Sequence, residues 1–175
     1  ITFNYDVALD AALRLANRGP DYSLESESSD RRFVKVFKLH GSINWAWCRR
    51  CRAIVPLDTE PTFKCSPSSA APSFAPLRLA DRIKSTRHCD DLVEPEAVIV
   101  PPTWNKTDYA EQLKVVWASA ARCFSRAENI IVVGYSLPET DSFFRYLFAL
   151  GSGGNSLINR FWVFDPDDSG ALETR

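Results

Sequence analysis

Residues 129–137 read Asn-Ile-Ile-Val-Val-Gly-Tyr-Ser-Leu, a short β-branched run that ends at a glycine. Apolar residues in succession, with no polar alternation, are typical of a strand that is buried on both faces, as in a parallel sheet. Residues 139–150 follow with the pattern of a helix. Strand, turn and helix in succession form the repeating unit of α/β proteins.

The segments on both sides continue this alternation. Helices are predicted over 6–17 and 106–126, where apolar residues recur at helical spacing. Further strands are predicted over residues 1–5, 33–40, 97–102 and 160–164. We therefore predict an α/β fold, built on a mostly parallel sheet with helices on both faces.

Residues 48–91 depart from this pattern. They are rich in Pro, Ser and Ala and hold four of the five cysteines. We predict that they form a small irregular insert with one short helix near 76–84. The sheet domain would then be made of residues 1–47 and 92–175.

The composition is that of an ordinary globular protein. The chain has 175 residues, 45% apolar and 25% charged, with a net charge of −1. That charge favours neither nucleic acid nor an anionic membrane as a partner. Because no secretory signal is recognisable and the number of cysteines is odd, we expect reduced thiols and a cytoplasmic location. The chain has no Met and begins within a predicted strand, so we expect a segment of a longer protein.

Polar residues follow four of the predicted strands. The carboxyl ends of parallel strands meet at one edge of a sheet, where α/β proteins bind their ligands. We therefore expect one shared site from Asn4, Asp6, His40, Ser42, Gly134, Ser136 and Asp165.

Each of these residues also has an ordinary structural interpretation. His40 is either a hydrogen-bonded residue at the end of a strand or a proton acceptor near neutral pH. Asn4 and Asp6 either cap the following helix or orient a water and hold sugar hydroxyls.

The same alternatives hold in the second half of the chain. The turn at Gly134 and Ser136 is either a simple strand-to-helix connection or a place where backbone N–H groups bind phosphate. Asp165 either forms a turn before Pro166 or accepts hydrogen bonds from a ribose diol, which would favour NAD over NADP.

Cys48 and Cys51 form a Cys-x-x-Cys pair, a common half of a tetrahedral zinc site. A second pair is missing, so Cys65 and Cys89 would have to complete the site, unless His88 replaces one of them. The alternative is that these thiols bind no metal. Cys123 lies in a predicted helix and is expected to be a core residue.

Taken in order, these clusters resemble the sirtuin family, and most closely the bacterial sirtuin-like NAD hydrolases of antiphage defence. The resemblance covers nearly the whole chain and is weakest over residues 52–88. It depends on Thr-x-Asn-Tyr-Asp at 2–6, Leu-His-Gly-Ser-x-Asn-Trp at 39–45, Pro-Pro-Thr-Trp at 101–104 and Gly-Tyr-Ser-Leu-Pro-x-x-Asp at 134–141.

The resemblance implies a Rossmann-like NAD-binding domain and cleavage of the bond between nicotinamide and ribose. It implies that His40 is the base acting on a ribose hydroxyl, that Asn4 positions the attacking water, and that Asp6 holds the nearby ribose. Contacts with the rest of NAD are implied for Thr2, Gly41, Ser42, Gly134, Tyr135, Ser136 and Asp165.

Several positions depart from the deacylating sirtuins. Phe3 stands where they carry Gln, and Val100-Pro101-Pro102 stands where they carry Phe-Gly-Glu. Both differences favour water over an acyl-lysine as the acceptor. Thr86 replaces the first cysteine of their second zinc pair, and their glycine-rich phosphate loop would lie before Ile1.

The function expected from these residues is NAD hydrolysis by the effector domain of a defence protein, activated when the whole protein is triggered. The alternatives are an NAD-dependent protein deacylase and a non-catalytic sensor of NAD or ADP-ribose. The expected partners are NAD, other domains of the parent chain and a second copy in a homo-oligomer.

Overall fold

The structure is a computed structural model, and it describes residues 1–24, 30–59, 76–100, 110–135, 145–149 and 158–166. The chain divides into two compact units, Ile1–Val116 and Trp117–Arg175. The predicted turn at Ser136 and most of the predicted helix over 139–150 lie outside the described residues.

The helices agree with the sequence pattern. Helix α1 spans Ala8–Leu15, α2 spans Pro76–Ser85 and α3 spans Ala110–Phe124, and residues 145–149 are also helical. The predicted apolar stripe of α3 is buried at Leu113, Val116, Ala120 and Phe124. Burial of this stripe explains the helical spacing without any functional role.

Among the described residues, the strands form two parallel and two antiparallel pairs. In the first unit, β1 (Gly19–Asp21) pairs in parallel with β2 (Phe33–Lys35). The antiparallel pairs are β3 (Trp45–Cys48) with β4 (Ala53–Pro56) and β5 (Arg87–His88) with β6 (Asp91–Leu92). In the second unit, β7 (Asn129–Val133) pairs in parallel with β8 (Arg160–Phe164).

The mixed α/β character is confirmed, but the predicted continuous sheet is not seen. In the described part of the chain, the strands form separate two-stranded sheets. The described residues therefore support the α/β class, but they do not show a mostly parallel sheet with helices on both faces.

The predicted strand over 33–40 changes partners along its length. Its first residues pair with β1, whereas Lys38 forms an isolated parallel bridge with Thr2. The backbone N–H of Thr2 donates to Phe37 and that of Leu39 donates to Thr2. The regular strand ends at Lys35, and the predicted alternation is not seen, because residues 33–35 are exposed and residues 36–40 are all buried.

The insert is more regular than predicted. The β3–β4 and β5–β6 hairpins lie at its two ends, and helix α2 lies between them in sequence. Their strands are only two to four residues long, too short for an alternation to be recognised. The hairpins and α2 share a core of Ala46, Cys48, Leu57, Ile83 and Val93.

Strand β7 is buried on one face, so the prediction of two buried faces was wrong. Ile130 and Val132 are buried, whereas Ile131 and Val133 are 59% and 73% exposed. Their partners across the sheet, Trp162 and Phe164, are also exposed. An unbroken apolar run does not show which of its faces is covered.

No helix among the described residues has both the length and the apolar character that crossing a bilayer requires.

Candidate active site and metal cluster

His40 lies between two neighbouring stretches of backbone and is 9% exposed. Its Nδ1 is 3.0 Å from the carbonyl oxygen of Val100, and its own carbonyl accepts the N–H of Val100. Because a carbonyl oxygen can only accept, this contact requires the proton on Nδ1. The neutral ring then carries its lone pair on Nε2, which is the arrangement of a proton acceptor.

Gly41 allows the chain to turn beside His40. Its φ is +80°, and a Cβ at this position would collide with the backbone carbonyl of Val98. The N–H of Ser42 donates to that same carbonyl at 2.9 Å. A glycine is therefore required both by the backbone conformation and by the close approach of the neighbouring segment.

Residues 1–6, here termed the N-terminal segment, run beside residues 38–44, termed the histidine segment. The Thr2–Lys38 bridge joins them, and Ile43 donates its N–H to the carbonyl of Tyr5 at 2.9 Å. The rings of Phe3 and His40 are 5.6 Å apart between centroids. The predicted catalytic residues therefore lie on adjacent segments.

Within the N-terminal segment, both predicted catalytic side chains are on the surface. Asn4 and Asp6 are exposed. The Thr2 hydroxyl accepts the N–H of Asn4 at 3.1 Å, and an Asp6 carboxylate oxygen accepts the N–H of Ala8 at 2.8 Å. Asp6 therefore bonds to the first residue of α1, which agrees with its structural interpretation as a residue at the start of the helix. Its contact with a ribose stays a prediction.

Five buried side chains form a ring that is closed by four hydrogen bonds and one ion pair, the buried polar ring. Lys38 and Asp10 form an ion pair at 2.7 Å and both are completely buried. The Lys38 ammonium also donates to Ser42, which donates to Asn44 at 2.6 Å. Asn44 donates to the Tyr22 hydroxyl, which donates to Asp10.

The sequence pattern did not reveal Lys38, Asp10 and Tyr22 as members of a site. The one indication that Lys38 is buried was its position between two apolar residues, Phe37 and Leu39, which are both buried in the structure. Ser42, predicted to contact the cofactor, is 0% exposed and belongs to this ring. A direct contact between Ser42 and NAD stays a prediction.

The ring strongly perturbs two of its members. Burial lowers the pKa of Lys38, and the neighbouring Asp10 carboxylate opposes that change. Burial also raises the pKa of Tyr22, and its hydrogen bond to Asp10 raises it further. Both pKa changes arise because burial disfavours the charged form of each side chain.

The second cluster contains Cys48, Cys51, His88 and Cys89, termed the metal cluster. One ligand atom from each lies within 4.8 Å of all the others, so the four side chains could hold a metal ion. The His88 Nδ1 is 3.4 Å from the Cys51 sulfur and 3.3 Å from the Cys89 sulfur. Cys65, which was predicted as a ligand, lies outside the described residues.

Both turns that carry this cluster hold non-glycine residues in the left-handed region. Arg52, which follows Cys51, has a φ of 56°, and Cys89 and Asp90 have φ of 51° and 67°. Such conformations are unfavourable for L-residues and persist where surrounding structure requires them. Here they direct thiols from the β3–β4 and β5–β6 turns toward one point.

The thiols of the cluster differ in acidity. The N–H of Cys51, followed by His88, lowers the pKa of Cys48 to about 6. A hydrogen bond with Cys51, burial and the charges of the other two thiols raise the pKa of Cys89 to about 11. Without a cation, the cluster therefore cannot readily accumulate three thiolates. A divalent metal would remove that repulsion.

In the second unit, two predicted ligand residues follow the parallel strands β7 and β8. Gly134 donates its N–H to the carbonyl of Phe164, the last residue of β8, at 2.9 Å. Gly134 and Asp165 therefore lie at the same end of this strand pair, as predicted. Gly134 has a φ of +64°. Tyr135 is half-buried, and Ser136 lies outside the described residues.

Comparison with known proteins gives little additional information. No protein-family model and no curated protein matches the chain. One similar solved structure, described as "The Structural basis for Sirtuin Substrate affinity", is 22% identical with a TM-score of 0.35. The match covers 77% of this chain and 48% of that chain, so this chain spans about half of its length. The similarity is weak and establishes no family.

Proposed function

We propose that this chain carries the catalytic residues of an NAD glycohydrolase, which cleaves NAD to nicotinamide and ADP-ribose. One observation carries the proposal: the contact between Nδ1 of His40 and Val100 leaves Nε2 as the proton acceptor, beside the segment that bears Asn4. We further propose that it serves as the effector domain of a bacterial antiphage-defence protein.

In this mechanism, His40 accepts a proton from a ribose hydroxyl, which increases electron density on the sugar as nicotinamide leaves. The reacting sugar passes through an oxocarbenium-like state, and the bond to nicotinamide breaks with its electron pair leaving on the pyridine nitrogen. A water held by Asn4 attacks the anomeric carbon and loses one proton to solvent, and His40 returns its proton to the ribose hydroxyl, so that NAD and water give nicotinamide, ADP-ribose and one proton. Asp6 holds the ribose, and the Phe3 ring beside His40 limits access of bulk water.

Within the second unit, the residues that follow β7 and β8 would bind an adenosine nucleotide. The backbone N–H groups of Tyr135 and Ser136, which follow Gly134 in the sequence, would bind phosphate. Asp165 would accept hydrogen bonds from the adenine ribose. Thr2 would contact the cofactor, whereas Gly41 and Ser42 are buried and would act by shaping the turn beside His40.

We also propose that the metal cluster binds zinc in a structural site. Three thiolates and one imidazole are a common tetrahedral ligand set for Zn²⁺. The ligands come from two separate hairpins, so the ion would cross-link the two ends of the insert. The thiols require a reducing environment, and we therefore assign the protein to the cytoplasm.

The test is nicotinamide release by the intact protein and by a His40→Asn variant. The Asn side-chain N–H can replace Nδ1 as the donor to Val100, but nothing replaces Nε2. We expect kcat to fall by about 10²- to 10⁴-fold, the usual contribution of a general base. A Ser119→Ala variant in α3 is the matched control, because Ser119 is buried and polar but lies outside the proposed site.

An unchanged rate in His40→Asn would reject the role of His40. The products separate the alternatives. Transfer of an acetyl group from a labelled peptide to ADP-ribose would favour a deacylase, and binding of NAD without turnover would favour a sensor.

A further inference from the structure

Within the buried polar ring, the ammonium of Lys38 makes two hydrogen bonds and one ion pair. The Lys38 ammonium has three donors. Their acceptors are Asp10 at 2.7 Å, the carbonyl of Asp6 at 2.6 Å and the hydroxyl of Ser42 at 2.8 Å. These acceptors belong to helix α1, the N-terminal segment and the histidine segment, so one side chain links all three.

The remaining contacts of the ring fix the same two segments. Ser42 also lies 3.3 Å from the carbonyl of Tyr5, which accepts the N–H of Ile43. Asn44 donates to the carbonyl of Leu57 at 3.1 Å as well as to Tyr22. The ring therefore holds the carbonyls of Tyr5 and Asp6 against the turn that follows His40.

Stability alone does not require charges at this place. Burying a lysine and a carboxylate removes both from water, and a pair of apolar side chains of similar volume is often as stable. Apolar side chains, however, cannot direct three donors toward three segments. The ion pair and its hydrogen bonds therefore fix the relative orientation of these segments, which apolar packing would not do.

We propose that Lys38 and Asp10 are positioning residues, which set the placement of Asn4 and Asp6 relative to His40. The inference rests on the proposed NAD hydrolysis and identifies what aligns its catalytic residues. Neither residue touches a ligand, because both are completely buried. They act through the backbone of the N-terminal segment.

The experiment compares the intact wild-type protein with Lys38→Met and with the double variant Lys38→Met/Asp10→Leu. The single variant leaves a buried carboxylate without its partner, so its stability should fall sharply. The double variant removes both charges, and we expect most of the stability to return. We expect kcat for nicotinamide release to stay at least tenfold reduced, with KM changed less than threefold.

If the ring only stabilises the fold, kcat returns together with stability in the double variant, and the inference is wrong. Should the double variant fail to fold, Tyr22→Phe opens the ring by removing one oxygen from a nearly identical side chain. It should give a smaller loss of kcat in the same direction. A normal kcat in folded Tyr22→Phe would also contradict the inference.

A second readout does not require activity. Amide hydrogen exchange reports the bond from Ile43 to Tyr5, which joins the two segments, and the bond from Val98 to Trp45, which does not involve the N-terminal segment. In the folded double variant, exchange at Ile43 should be at least tenfold faster, while Val98 should be unchanged. Equal protection of Ile43 would overturn the inference. If the wild-type protein releases no nicotinamide, the proposed function fails, and this exchange still decides whether the ring positions the segment.

Discussion

At the residue scale, Gly41 is the position where backbone geometry most tightly constrains the candidate site. Replacing it with Ala would force an L-residue to a φ of +80° and push a methyl group into the carbonyl of Val98. The left-handed conformation costs about 1–2 kcal/mol, and overpacking costs about 1–3 kcal/mol more. We therefore expect Gly41→Ala to lower the free energy of unfolding by about 2–5 kcal/mol in urea denaturation.

Gly134→Ala is the matched control, because its φ is also positive but nothing lies within 4 Å of the added Cβ. It should cost only the conformational part, about 1–2 kcal/mol. Equal losses in the two variants would show that the approach of Val98 does not matter.

The pKa of Tyr22 predicts a loss of stability at high pH. A phenol whose pKa is raised in the folded state stabilises the protein fully below its unfolded value, near 10, and less as the pH rises above it. Between pH 10 and 11 the contribution of Tyr22 should fall by about 1 kcal/mol. Lys38 acts in the opposite direction near this range, because its pKa is lowered.

Urea denaturation of wild type and Tyr22→Phe between pH 8 and 11 measures this effect. The variant should be less stable at pH 8, yet its stability should decline less steeply above pH 10. Parallel pH profiles would mean that Tyr22 ionises in the folded state as it does in the unfolded chain.

The sequence predicted some residues of the candidate site and not others. His40 stood out because histidines are few and this one ends a predicted strand. Its partner Val100 lies 60 residues away, and the contact is made by a backbone carbonyl that any residue would supply. Lys38 and Asp10 were not recognised, because a sequence does not show that two charges are buried against each other.

At the scale of elements, the proposed zinc ion would join the two cysteine-bearing hairpins, and its binding should depend on pH. Cys89 keeps its proton up to a pH of about 11, whereas Cys48 loses its proton near 6. Zinc binds thiolates, so binding at pH 7.5 must release the proton of Cys89. Zinc affinity should rise about tenfold per pH unit from this proton alone.

Below a pH of about 6, Cys48 also holds a proton that zinc must displace. Below this pH, zinc affinity should therefore change by about a further tenfold for each pH unit. Titration of zinc into the metal-free protein, with a competing chelator and a pH indicator, measures both quantities. Cys89→Ser should lower the proton release at pH 7.5 by about one proton per zinc, and Cys123→Ser, outside the metal cluster, should leave it unchanged.

The elements themselves were predictable to the extent that they were long. Helix α3 follows from apolar spacing over several turns, because its apolar stripe is buried at Val116 and Ala120. The apolar spacing of α1 predicted the helix but not its burial, because Leu9 and Leu15 are exposed and Asp10 is buried. The hairpins were missed, since β5 and β6 have two residues each and are defined by a turn at Cys89 and Asp90. Neither residue is a glycine, so the usual signal of a tight turn was absent.

At the scale of the whole molecule, the alternation of strands and helices indicated the α/β class but not how strands are paired. Pairing depends on contacts distant in sequence, such as Thr2 with Lys38 and Gly41 with Ile99. The second of these is antiparallel, which no local pattern indicated. Gly134 and Asp165 lie at the same end of β7 and β8 because these strands are parallel and in register, whereas the edge expected to be shared by all four clusters stays a prediction.

The division into two units predicts a local response to removal of the metal. The metal cluster lies in the first unit, on the β3–β4 and β5–β6 hairpins, whereas β7 and β8 belong to the second. We expect chelation of zinc to accelerate amide exchange at least tenfold in residues 45–56 and 87–92, because the metal cross-links their turns. Exchange in residues 129–133 and 160–164 should change less than twofold.

Hydrogen-exchange mass spectrometry of the intact protein, with and without chelator, measures both regions in one sample. The Cys48→Ser variant without chelator should reproduce the pattern of the chelated wild type, and chelator should then have no further effect. Acceleration in all four segments would mean that the ion stabilises both units together. No acceleration in the hairpins would mean that their strained turns at Arg52 and Cys89 are maintained without a metal.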